Sequence, residues 1–274
     1  MSLTLEHRKK IVLLYCGIFY LLAILKWWNG LFLYQAQPHL FNNRYDVFTW
    51  IFMKTGIHQW LLDNPACWKF FDVVFYAMPA LFFLLNSWKI SAGRLAAVAM
   101  LIINWIYIQC FTLYPTNSIE SYTAWLLFPL LFMMASVQSF YYVFHGLRYF
   151  FLYFFASAGV WKITQMAIFN GEQMSGVLLF QHAEYLVSSP GYWYTNFIYW
   201  LARNPSISYC LYLAGLLLEL CFFIGFFTRR YDRLLIVLFI VFLLADILLM
   251  RIHYWEVAPF LITLWYSKLK LAEK

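Results

Sequence analysis

The chain is predicted to be an all-α, polytopic membrane helical bundle of about eight transmembrane helices, with both termini cytoplasmic. Three observations carry that expectation. Of its 274 residues, 64% are apolar and only 11% charged, against roughly 25% charged in a soluble domain. Its apolar runs reach the roughly 20 residues that a helix needs to cross a bilayer. Its Lys and Arg residues gather on one side of the spans so delimited, as the positive-inside rule requires. No stretch is long and polar enough for a separate soluble domain, so residues 1–274 read as a single transmembrane domain.

The first span, about 11–28, follows the basic start MSLTLEHRKK and has no small-residue cleavage site. It therefore reads as an uncleaved anchor rather than a signal peptide. Further spans follow at about 67–87, 93–114, 121–139, 147–168, 208–227, 234–251 and 255–268. Pro79, Pro129 and Pro259 fall inside three of them, where they are expected to kink the helices. With the N-terminus inside, the cytoplasmic face receives Arg8, Lys9, Lys10, Lys89, Arg94, Arg148, Arg229, Arg230, Arg233, Lys268, Lys270 and Lys274. The opposite face receives Arg44, Lys54, Arg203 and Arg251.

Two long connections, 29–66 and 170–207, fall on the outer side. The first contains YDVFTWIFMKTG and IHQWLLDNP, which read as short interfacial helices. The second contains HAEYLVSS and PGYWYTNFIYWLARNP, whose Tyr192, Trp193, Tyr194, Phe197, Tyr199 and Trp200 form an aromatic belt. That belt is either an interfacial anchor or a lid over a substrate. His182, in this connection, reads as a surface residue. Asp72 and Lys69, three apart near a helix start, read as a local ion pair.

Composition also narrows the partners. The net charge of +7 does not point to nucleic acid, because the basic residues lie in short loops rather than on one face. Membrane lipids are the expected surroundings. Cys16, Cys67, Cys110, Cys210 and Cys221 are scattered, with no CxxC or His-rich spacing. Neither a disulfide framework nor a metal site is expected.

The chemistry of the chain is concentrated in the charges inside its spans. Lys162 interrupts YFFLYFFASAGVWKITQMAIF, a stretch otherwise apolar enough to cross a bilayer. Insertion scales put a central lysine at roughly 2.5–3.5 kcal/mol, so the residue is expected to be paired, deprotonated or at work. By the helical rise, Lys162 lies roughly 9 Å from the outer end of its span and Asp246 roughly 8 Å from the end of its own. Glu219 lies roughly 16 Å down, near the midplane. The shared depth makes Asp246 the expected partner of Lys162. Helical spacing groups Phe155, Ala158, Gly159, Gln165 and Met166 with Lys162. The small residues there either let another helix approach closely or leave room for a ligand. The same spacing groups His253 with Asp246, and Tyr212 with Glu219. Glu120 and Glu256 stand at outer ends of spans. Desolvation favours a neutral amine at Lys162 and a nearby carboxylate opposes it; a neutral amine is a general base or a nucleophile.

SAGVWKI, residues 157–163, resembles the AGxxK motif of the vitamin K-dependent γ-glutamyl carboxylase-like proteins, the horizontally transferred transmembrane (HTTM) family. GLLLELCFFIGFFTRRYDR, residues 215–233, resembles that family's acidic helix and basic turn, and SYTAWLLFPLLFM, 121–133, the helix before its lysine span. The similarity covers roughly residues 65–268. It implies a base role for Lys162, the lysine that in the carboxylases deprotonates vitamin K hydroquinone. The chain departs from that pattern elsewhere. Glu120 stands where the carboxylases have a histidine, Ala245 and Asp246 lie near the place of a second, and the large soluble region that grips a propeptide is missing.

Two functional expectations follow. One is an enzyme-like protein of the bacterial cytoplasmic (inner) membrane, with Lys162, Asp246 and Glu120 as catalytic groups. Gly159, Gln165, Glu219 and His253 would then line a site for a quinone, by resemblance, or another lipid-soluble ligand, and the substrate would be a lipid or an exported peptide. The other is a non-catalytic membrane subunit that docks a partner membrane or exported protein through its bundle and aromatic outer loops.

Overall fold

A computed structural model of the chain describes residues 3–35, 47–112, 122–252 and 254–271. Glu120, His253, Arg44 and Lys274 lie outside the described residues. Among those described, the chain is helical, in the order α1 (Leu5–Trp28), α2 (Val47–Lys54), α3 (Ile57–Asp63), α4 (Pro65–Trp88), α5 (Ile90–Thr112), α6 (Thr123–Phe132), α7 (Val137–Thr164), α8 (Gln173–Gln181), α9 (Ala183–Ser188), α10 (Trp193–Arg203), α11 (Pro205–Cys221), α12 (Ile224–Phe227), α13 (Asp232–Met250) and α14 (Leu261–Trp265). Short 3₁₀ segments occupy Ala167–Phe169 and Trp255–Phe260.

Six helical stretches among the described residues are long and apolar enough to cross a membrane: Leu5–Trp28, Ala66–Trp88, Ile90–Cys110, Val137–Thr164, Pro205–Phe227 and Asp232–Met250. The chain is a multi-pass membrane protein. Its exposed surface agrees: apart from Arg233 in the first turn, the exposed positions of α13 are all aliphatic, namely Leu234, Val237, Ile240, Val241, Leu244 and Leu248, as suits a helix facing lipid. At two further positions where crossings are expected, the helices are short, Thr123–Phe132 and Trp255–Trp265. The ten residues of α6 rise about 15 Å, half the hydrocarbon thickness of about 30 Å.

The chain divides into two compact units. The first comprises Met1–His145, Trp255–Thr263 and Leu269–Lys274. Its core is aromatic: Tyr15 stacks on Phe128, and Phe75 lies flat on Tyr107 at 3.7 Å between ring centroids. Arg8, buried in α1, donates to the carbonyls of Phe132 and Met134, a cation at the C-terminal end of α6 where the helix leaves carbonyls unpaired. Pro79 removes one donor from the α4 ladder. One residue on, Ala80 N–H and Tyr76 C=O are a ladder pair, and the Tyr20 hydroxyl from α1 sits between them. It accepts from Ala80 at 2.9 Å and donates to Tyr76 at 2.9 Å. A side chain inserted in this way is one of the identifiable causes of a loosened helix.

The second unit comprises Gly146–Tyr254 and Leu264–Lys268. In it α8, α9 and α10 form a small apolar cluster around Met174, Leu178, Leu186, Tyr194, Ile198 and Leu201. One face of α10 is buried through Tyr194, Thr195, Ile198 and Leu201, while Trp193, Tyr199 and Trp200 are exposed. His182 is buried rather than at the surface, because its Nε2 donates to the Leu249 carbonyl at 2.8 Å. The Tyr194 hydroxyl donates to the neighbouring Leu248 carbonyl at 2.9 Å. Those two carbonyls belong to the last turn of α13, beyond which the helix has no N–H donors of its own to offer them. Burial pushes the Tyr194 phenol above its usual range, with the Arg251 guanidinium working against it, so it remains a neutral donor.

The Tyr20 arrangement yields a test. Tyr20→Phe leaves both ladder groups without their bridge and is expected to cost about 1–2 kcal/mol. Thermal unfolding in mild detergent should show the loss, and Pro79→Ala in the same chain should recover part of it by restoring the direct ladder.

Candidate functional site

Five residues of α7 recur at alternating steps of four and three: Arg148, Leu152, Phe155, Gly159 and Lys162. That spacing keeps them on one seam of the helix. The seam packs against α11, α12 and α13. At its start, Arg148 is fully buried and forks onto Asp232, through Nε to Oδ2 at 2.9 Å and Nη2 to Oδ1 at 2.6 Å. The same Nη2 donates to the Gly225 carbonyl at 2.8 Å. Arg148 is thus an interior residue, not the loop charge that its place in the sequence suggests, since a first-turn aspartate of α13 neutralises it.

Glycines let the helices close on this seam. A Cβ on Gly225 would come within 2.4 Å of Leu152 Cδ2, and one on Gly159 within 2.9 Å of Leu220 Cδ2. Between them Phe155 stacks on Phe222 at 4.9 Å and meets Phe239 and Phe242 edge-on. Of the two roles open to the small residue beside the lysine, Gly159 serves close helix approach. The space expected there for a ligand is taken by Leu220.

At the far end of the seam Lys162 Nζ lies 2.6 Å from Glu219 Oε1. The partner is therefore Glu219, not Asp246. Equal depth along the chain misjudges the reach of the two side chains. A helical side chain leans toward its own N-terminus, so the lysine extends back along α7, deeper than its Cα. Asp246 makes no ion pair with Lys162 but lies within electrostatic range of both Lys162 and Glu219. The Tyr212 ring faces the ammonium at 6.0 Å, two helical turns from Glu219 and on the same face, as the sequence suggests.

The pair is unevenly buried. The Glu219 side chain is 4% exposed and that of Lys162 34%. Glu219 Oε2 and the Tyr212 hydroxyl are buried, and neither finds a hydrogen-bond partner among the described residues. The centre thus offers an accessible amine, a spare carboxylate oxygen and a spare phenol. A ligand hydroxyl would donate to the carboxylate oxygen, and a ligand carbonyl would accept from the phenol. Gln165 and Met166 do not join the site. Helix α7 ends at Thr164 and Met166 takes a left-handed conformation, so helical spacing no longer governs these two exposed residues.

A second lysine centre lies in the first unit and was not singled out by the sequence. Lys26 Nζ lies 2.6 Å from Glu256 Oε1 and 3.2 Å from the Tyr122 hydroxyl, with side chains 7% and 5% exposed for the ion pair. The ammonium also faces the Tyr122 and Trp125 rings, at 4.9 and 5.5 Å. The signal available was the position of Lys26 inside the first apolar run, masked by its nearness to the span's end. Asp72, expected to pair with Lys69, instead accepts from the Leu33 and Tyr34 amides at 3.2 and 3.0 Å and from the Tyr107 hydroxyl. These donors fix the chain as it leaves α1.

The two carboxylates near Lys162 are separable by experiment. Glu219→Gln removes the charge that neutralises the amine and is expected to destabilise the protein by about 1–3 kcal/mol. Asp246→Asn, which breaks no ion pair, should cost less than half of that in the same detergent-melting assay.

No protein-family model matches the chain, and neither does any curated protein or solved structure, so the residues themselves carry the functional reading.

Proposed function

We propose that the chain is an HTTM-like protein of the bacterial inner membrane, crossing about eight times with cytoplasmic termini. In this reading it exchanges a proton with a lipid-soluble ligand at Lys162, in the course of modifying a lipid or an exported peptide. The two short apolar helices would complete the crossings. The carrying observation is the half-accessible Lys162–Glu219 pair with its spare Glu219 Oε2 and Tyr212 hydroxyl. The pair holds one proton between amine and carboxylate. Taking a second from a ligand hydroxyl leaves both groups protonated, and the nearby Asp246 carboxylate offsets the added positive charge. A quinone in its reduced, hydroquinone form is the ligand that the resemblance suggests; it would supply the hydroxyl whose proton is taken.

A second reading is a non-catalytic membrane subunit. The packing of Gly159 against Leu220 favours it, because a small residue spent on helix contact needs no ligand. The exposed Trp193, Tyr199 and Trp200 would then meet a partner protein.

Lys162→Ala and Lys162→Arg distinguish the two. Purified in mild detergent, the native chain is expected to carry a quinone or lipid detectable by mass spectrometry. Both variants should fold and lose it about tenfold, the equivalent of one charge-assisted hydrogen bond. Full retention of that ligand by Lys162→Arg, or a co-purifying protein and no bound ligand in the native chain, would assign the lysine to structure.

A further inference from the structure

The first unit carries a cleft of about 400 Å³ lined by Phe32, Tyr34, Lys69, Asp72, Val73 and Tyr76. Its volume falls in the range of roughly 300–1,000 Å³ typical of small-ligand sites, which are mostly apolar with a few placed polar groups. Its wall bears one charge of each sign, one helical turn apart on α4, and the two do not pair with each other. The ammonium of Lys69 is exposed and rests 5.8 Å from the Tyr34 ring centroid. Asp72 is buried and held by three donors. An ionised carboxylate offers about four acceptor positions, so one remains on Oδ2. Phe32 and Tyr76 stack at 4.1 Å and present aromatic surface beside that acid, a setting that attracts an organic cation.

We propose that this cleft binds the zwitterionic headgroup of a membrane phospholipid. The headgroup amine lies against Asp72 and the aromatic rings, the phosphate meets Lys69, and the acyl chains run along the exposed Val73 and Phe70 of the membrane-spanning α4. A simple anion is disfavoured by Asp72 and a simple cation by Lys69. A molecule carrying both charges a few bonds apart complements the wall. This assignment is independent of the chemistry at Lys162.

The test uses the full chain stripped of lipid in detergent, with native mass spectrometry reading the retention of added phosphatidylethanolamine against phosphatidylglycerol of the same acyl chains. The zwitterionic lipid should be retained about tenfold better, the equivalent of one charge-assisted hydrogen bond. Lys69→Gln, which removes the partner of the phosphate that both lipids carry, should lower the retention of both. Val73→Trp, at an exposed position where folding is not at stake, should block the cleft and erase the preference. Competition by free phosphoethanolamine would place recognition in the headgroup alone, and competition only by diacyl lipid would place it in the whole molecule; either supports the site. Equal retention of the two lipids, or a preference that Val73→Trp leaves unchanged, would overturn it.

Discussion

An ammonium among apolar helices is tolerable only if something nearby holds the opposite charge, and in the second unit that is Glu219. The 2.6 Å contact with Lys162 ties the end of α7 to α11, and the rest of the seam follows from bringing those helices together. Gly159 and Gly225 remove the side chains that would keep them apart, and aromatic rings fill the middle. Arg148 and Asp232 close the other end, fourteen residues or about 21 Å along the helix. Each end is an ion pair whose breaking would strand a charge out of water. That cost, several kcal/mol for a buried pair, makes the register of α7 hard to exchange for another.

The first unit uses the same device. Lys26 and Lys162 each stand two residues before the end of a long helix, each meets a glutamate Oε1 at 2.6 Å, and each faces a tyrosine ring. In both, the second carboxylate oxygen has no partner among the described residues. The difference is access. Lys26 is almost enclosed, whereas a third of the Lys162 side chain is open. Only the latter can meet a ligand without the helices parting, which is why the proposed chemistry belongs there.

Composition and run length made the helical membrane class legible, because those signals need no partner information. The apolar stretches around α1, α4, α5, α7, α11 and α13 were all found. Lys162, Glu219 and Tyr212 were also identified individually. Their pairing was not, since depth counted along separate helices ignores the lean and reach of side chains. Arg148 and His182 were misplaced for a related reason. Their partners, Asp232 and the Leu249 carbonyl, are distant in sequence, and a polar residue near a span's end looks solvated until its partner is known. Gln165 was placed by helical spacing that ceases at Thr164, where no proline or glycine marks the stop.

The most direct test is a charge-reversal cycle on the Lys162–Glu219 pair in lipid nanodiscs, with Lys162→Glu, Glu219→Lys and the double exchange measured by unfolding. Each single reversal places like charges in contact, and the exchange restores attraction. The exchange is expected to recover at least about 2 kcal/mol relative to the sum of the single losses. Losses that simply add would mean that the two groups do not hold each other, and the seam would need another explanation.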